Sequence, residues 1–68
     1  MYMRVMSMER YIVRICFRDE IFVKIVDTKR QAEALAEEIN KRGYRHHEGN
    51  AVRVFGPGQV RAEYGKEH

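Results

Sequence analysis

Apolar and polar residues alternate with a period of two over Tyr11–Phe17. Tyr11, Val13, Ile15 and Phe17 share one parity and Ile12, Arg14, Cys16 and Arg18 the other, which is the pattern of a half-buried strand. Residues 21–26 repeat it. With Arg18-Asp19-Glu20 as a three-residue loop, Phe17 stands opposite Ile21, Ile15 opposite Val23 and Val13 opposite Ile25, so apolar meets apolar in every pair. The period then lengthens. Ala32, Leu35, Ala36 and Ile39 form a stripe at helical spacing, with Arg30, Glu33, Glu37 and Lys41 outside it. Thr28 and Gln31 make a capping box at the start, and Asp27 adds negative charge there. Lys41 and Arg42 suit the negative end of the helix dipole, and Gly43 supplies a left-handed C-terminal residue.

Three short strands follow over 44–47, 51–55 and 59–64, separated by Glu48-Gly49-Asn50 and Gly56-Pro57-Gly58, both of which are turn chemistry. The element order is therefore β-β-α-β-β-β. The fold class is α+β, a single antiparallel sheet of about five strands with one helix packed on one face. Residues 1–68 read as one small domain, with 1–8 a loose arm or an extension of the first strand and 65–68 a frayed tail. Met1, Met3, Met6 and Met8 fall in that arm, and Met8 is an alternative start.

A chain of 68 residues has a thin core. Cys16 is its one cysteine, which excludes an internal disulfide and a cysteine zinc site and points to a reducing compartment. No run of residues reads as a signal peptide or a membrane span, so the expected location is the cytoplasm. The net charge of +3 is mildly basic and does not by itself argue for nucleic acid.

The placement of that charge is more informative. With three-residue loops at the later turns too, Tyr44, His46, Val52, Val54, Val60 and Ala62 face the helix. Arg45, Arg53 and Arg61, eight residues apart, then stand opposite one another on the open face, and Arg14 stands opposite Lys24. Like charges opposed across a sheet are destabilising, so their repetition implies an anion or acidic neighbours. Phe22 and Phe55 join this face. Basic side chains interleaved with aromatics offer phosphate contacts and stacking surfaces for nucleic acid. The same residues, left solvated or paired with Glu48 or Glu63, would be an ordinary surface. A two-residue loop at Gly49-Asn50 would move Arg45 and His47 to the covered face, which is disfavoured because it buries an arginine.

No catalytic, cofactor or metal constellation emerges. His46, His47 and Glu48 alternate across a strand, which leaves two ligands on a side where a site needs three or four. Asp19, Glu20 and Asp27 have turn and cap roles, Cys16 has no base placed beside it, and Gly56-Pro57-Gly58 is a turn.

Two likenesses bear on function. Residues 31–57, running from Ala32-Glu33-Ala34-Leu35 through Gly43-Tyr44 to Val52-Arg53-Val54-Phe55-Gly56-Pro57, resemble the first half of a SPOR peptidoglycan-binding domain. The second helix of that family has no counterpart, so its ligand is not carried over. The layout of one helix against about five antiparallel strands is also similar to that of some small phage-encoded anti-CRISPR proteins. The expectation is a non-enzymatic module that binds nucleic acid or another polyanion through Arg14, Lys24, Arg45, Arg53, Arg61, Phe22 and Phe55. Its alternative is a protein-interaction module, or a small phage or mobile-element inhibitor of a host complex. Such a module would meet an acidic or nucleic-acid-binding protein surface, or pair with a second copy of the chain.

Overall fold

The computed structural model of the chain describes residues 10–67, so the expectations for 1–8 lie outside the described residues. The elements are β1 (Tyr11–Phe17), β2 (Glu20–Val26), α1 (Lys29–Arg42), β3 (Tyr44–Glu48), β4 (Ala51–Phe55) and β5 (Arg61–Lys66). The mixed class and the β-β-α-β-β-β order agree with the sequence pattern. The strands, however, divide into two antiparallel sheets where one was expected. Sheet A has the order β2-β1-β5, and sheet B is the β3-β4 hairpin. Of the tail expected to fray over 65–68, Gly65 and Lys66 instead continue β5, the Glu67 N–H donates to the Arg10 carbonyl at 2.8 Å, and His68 lies outside the described residues.

Helix α1 forms where its caps predict. The Thr28 hydroxyl accepts from the Gln31 N–H at 3.1 Å, and the Gln31 amide oxygen accepts in return from the Thr28 N–H at 3.2 Å. Ala32, Ala36 and Ile39 are buried. They meet Val13, Ile15, Val60 and Ala62 in the core, and the two small alanines let the helix approach sheet A closely. Full burial of one side chain such as Val13 or Ile15 contributes about 1.5–3 kcal/mol. The Asn40 amide then takes both backbone groups of Ala62, donating to its carbonyl at 2.9 Å and accepting from its N–H at 2.8 Å. A helix side chain thus occupies the β5 edge where another strand would otherwise pair.

Gly43 turns the chain from α1 into β3. Its N–H donates to the Ile39 carbonyl at 2.8 Å, and its φ is 95°. With a ψ of −172° it lies outside the left-handed helical well that a helix-ending glycine commonly adopts. A methyl group on its Cα would collide with the Phe55 carbonyl and the Gly56 backbone. The end of β4 therefore approaches the residue that leads into β3 backbone to backbone, where the β3-β4 hairpin closes beside the helix C-terminus.

Both tight hairpins have two-residue turns, and both put a positive φ at the first turn residue, 55° at Arg18 and 57° at Gly49. Glycine tolerates that geometry and arginine does not. Arg18→Gly should accordingly raise stability by up to about 1 kcal/mol. Gly43→Ala should lower it by at least about 2 kcal/mol, since steric overlap and a forbidden φ act together. Urea unfolding of the two variants beside the parent checks both.

Candidate functional site

The register of the first hairpin differs by one residue from the expected one. Phe17 pairs with Glu20, Ile15 with Phe22, Arg14 with Val23 and Val13 with Lys24. A slip of one residue exchanges the two faces of a strand. Phe22 and Lys24 therefore share the covered side with Val13 and Ile15, while Ile21, Val23 and Ile25 turn outward. The pairing of Arg14 with Lys24 does not form.

Sheet B corrects the second expectation in the same way. The Gly49-Asn50 turn pairs Glu48 with Ala51, His46 with Arg53, Arg45 with Val54 and Tyr44 with Phe55. Arg45 and His47 stay exposed even so. It is β4 that exchanges faces, sending Val52 and Val54 outward and turning Arg53 and Phe55 toward sheet A. Arg45, Arg53 and Arg61 consequently form no row. Arg61 lies on the open face of sheet A beside Cys16, with Glu63 3.8 Å away. Arg45 lies on the outer face of sheet B, and Arg53 lies between the sheets.

The inward residues build an aromatic junction. Phe55 is 4.6 Å from Phe17 and 5.8 Å from Phe22 between ring centroids. Phe22 also stacks on the His46 ring at 4.3 Å and lies 5.7 Å from Tyr44. The Tyr44 hydroxyl and His46 Nδ1 are 3.1 Å apart, a hydrogen bond whose direction follows the imidazole tautomer. Burial raises the Tyr44 phenol above its usual pKa. Across the top of these rings Arg53 grips Glu20 with two nitrogens, at 3.0 and 2.8 Å. Its guanidinium carbon sits 5.1 Å from the Phe55 centroid and 5.8 Å from that of Phe22. Lys24 is likewise occupied, with its ammonium 5.8 Å from the Tyr44 centroid. Phe22, Phe55, Arg53 and Lys24 are thus brought together, but as the joint between two sheets.

The open face of sheet A has a different character. Across β2, β1 and β5 its rows are Ile25, Ile12 and Gly65, then Val23, Arg14 and Glu63, then Ile21, Cys16 and Arg61. The β2 column is wholly apolar, and Ile21, Val23 and Ile25 are 59%, 55% and 53% exposed. The β5 column carries the charge. At the β5 edge, a groove of about 430 Å³ between α1 and β5 is lined by Glu33, Glu37 and Glu63 with Asn40 and Tyr64, a polarity that repels polyanions. Among the described residues no group of three or more His, Cys, Asp or Glu is placed to hold a metal ion, and no helix is long and apolar enough to cross a membrane.

The Arg53–Glu20 fork sets the response of the joint to acid. Hydrogen bonds from Arg53 hold the Glu20 carboxyl below its usual range, against some opposing desolvation. Its contribution is present above the unfolded value of about 4.3 and is lost as pH falls through the lower folded value. Both side chains are roughly two-fifths exposed, so solvent screens the pair. Arg53→Gln and Glu20→Gln should each lower the melting temperature at pH 7, the double variant should fall no further than the worse single one, and Glu20→Gln should flatten the melting curve's pH dependence below about pH 4.

No family model matches the chain, and neither a curated protein nor a solved structure matches it.

Proposed function

We propose that this chain is a protein-interaction module, without catalytic chemistry of its own, that docks another protein chain on the open face of sheet A. The observation that supports the reading is the apolar column Ile21, Val23 and Ile25, flanked by Ile12 and Cys16 and bordered by Arg14, Arg61 and Glu63. Contiguous apolar surface with a polar border is what a soluble domain retains for a partner. Small proteins that inhibit a host complex by occupying a surface are one class of such modules. The polyanion reading loses the observations that motivated it, since Arg53 is held by Glu20 and both phenylalanines are turned inward. Arg14 and Arg61 remain on one face, with Glu63 opposite Arg14 in the ladder and 3.8 Å from Arg61, and Arg45 is on another sheet.

A photo-crosslinking phenylalanine analogue placed at position 23, and in a control chain at position 54 on the outer face of sheet B, tests the proposal in native cells. Defined protein adducts should form from position 23 and be absent from position 54. Equal labelling from both positions, or salt-dependent binding of short single-stranded oligonucleotides by fluorescence anisotropy, would rule in favour of a different surface.

A further inference from the structure

We infer that the free edge of β2 is a dimerisation edge, at which two copies of the chain pair antiparallel and join their three-stranded sheets into one. The contact uses the edge of sheet A and is separate from the docking face proposed above. It starts from where the backbone groups of β2 point. The Asn40 amide takes both backbone groups of Ala62, so these point away from β1. Ile15, which stands opposite Ala62, therefore turns its own backbone groups to β2, where it meets Phe22. Bonded and non-bonded pairs alternate along an antiparallel ladder. Phe22 and Lys24 consequently bond to β1, while Ile21, Val23 and Ile25 direct their N–H and C=O groups to the outer edge. β2 pairs with no strand besides β1, and among the described residues no hydrogen bond reaches those outward groups.

The two edges of sheet A differ. Asn40 plugs the β5 edge, whereas the β2 ladder runs without a bulge from Phe17–Glu20 to Tyr11–Val26 and contains no proline. Sheet B does not overhang this edge, since Glu20 and Phe22 are only half-buried and Lys24 is exposed. Lys24 is what selects the occupant. A lysine in an edge strand disfavours any incoming strand that sets an apolar or basic residue against it. Pairing β2 with itself about Lys24 opposes two lysines, and pairing about Val23 sets Lys24 against the partner's Phe22. Pairing about Phe22 sets Lys24 against the partner's Glu20 and Glu20 against the partner's Lys24, one ion pair on each side of a central pair of phenylalanines. In the same register Ile21 exchanges backbone bonds with the partner's Val23, and Val23 with the partner's Ile21, so apolar side chains adjoin on the open face. The Glu20 carboxylate has lone pairs beyond those that receive Arg53 and is shared between two cations. The chain's own β2 thus supplies the acid that its lysine requires, a charge complementarity that favours a second copy over an arbitrary strand.

Sedimentation equilibrium of the full chain under reducing conditions, from about 10 μM to about 1 mM, covers the range in which so small an interface associates. The parent should pass from the 8.1 kDa monomer to twice that mass. Amide hydrogen exchange read by NMR at both ends of the range locates the contact. The Ile21 and Val23 amides should exchange several-fold more slowly in the dimer, with the Tyr64 amide on the opposite edge unchanged. Val23→Pro removes an outward N–H and leaves the β1 ladder intact, so it should fold and stay monomeric. Should it fail to fold, Lys24→Glu carries the test, since it opposes Glu to Glu on both sides of the axis and should weaken dimerisation at least about tenfold, the equivalent of about 1.4 kcal/mol. Val54→Glu, on the outer face of sheet B, should dimerise like the parent. A parent that is monomeric at the highest concentration, a dimer whose Ile21 and Val23 amides exchange as fast as the monomer's, or a folded Val23→Pro that dimerises undiminished overturns the inference. The docking face is judged separately, by capture of a different protein from position 23, because an adduct to a second copy is what the edge alone would give.

Discussion

Phe22 can face only one way, and the rest of the molecule follows from which way it faces. Pointing inward, its ring supplies the surface on which His46, Tyr44 and Phe55 of the second hairpin collect. Glu20, two residues earlier and on the same side, receives the fork of Arg53. Sheet B has its own backbone ladder and makes no strand pairing with sheet A, so these side chains hold it in place. The consequence on the reverse of β2 is unavoidable. When Phe22 and Glu20 point inward, Ile21, Val23 and Ile25 point outward, and the apolar face proposed for docking is the geometrical complement of the internal joint.

Much of this was legible in the sequence, and the part that was not has a physical cause. The helix was readable because its caps and its stripe are local: Thr28, Gln31, Ala32, Ala36 and Ile39 do what their spacing implies. The buried parity of β1 was readable because its other face carries Arg14. In β2 both faces are apolar, so alternation alone does not say which is buried, and matching apolar residues across the hairpin selects the wrong one. The deciding contacts come from 33 positions away, where Arg53 meets Glu20. A local signal did exist at the second hairpin, since a glycine at the first position of a two-residue turn pairs Glu48 with Ala51. The objection that such a turn buries Arg45 does not apply, because the turn rotates β4 and leaves Arg45 in solvent. Asn40 was out of reach for the same reason as Glu20, because its partner Ala62 lies on another element.

The arginine spacing of eight residues illustrates how a regular pattern acquires different roles in a fold. Arg53 acts as an internal clamp over two phenylalanine rings, Arg61 sits on a charged rim, and Arg45 is a solvated outer residue. The first interval spans the β3-β4 hairpin and the second spans the connection from sheet B to β5 of sheet A, and the two sheets place the three arginines in three environments. What remains on the open side of the molecule is an apolar column with a charged border, and that border is balanced in sign where the central arginine lies.

The orientation of Phe22 is the claim on which all of this depends, and nuclear Overhauser contacts from its ring test it most directly. Contacts from the Phe22 ring protons to the rings of His46, Tyr44 and Phe55 are predicted, with none to the side chains of Arg14 or Cys16. Contacts to Arg14 and Cys16 in place of the aromatic set would mean that β2 pairs one residue out of register, and would contradict both the joint and the exposed face derived from it.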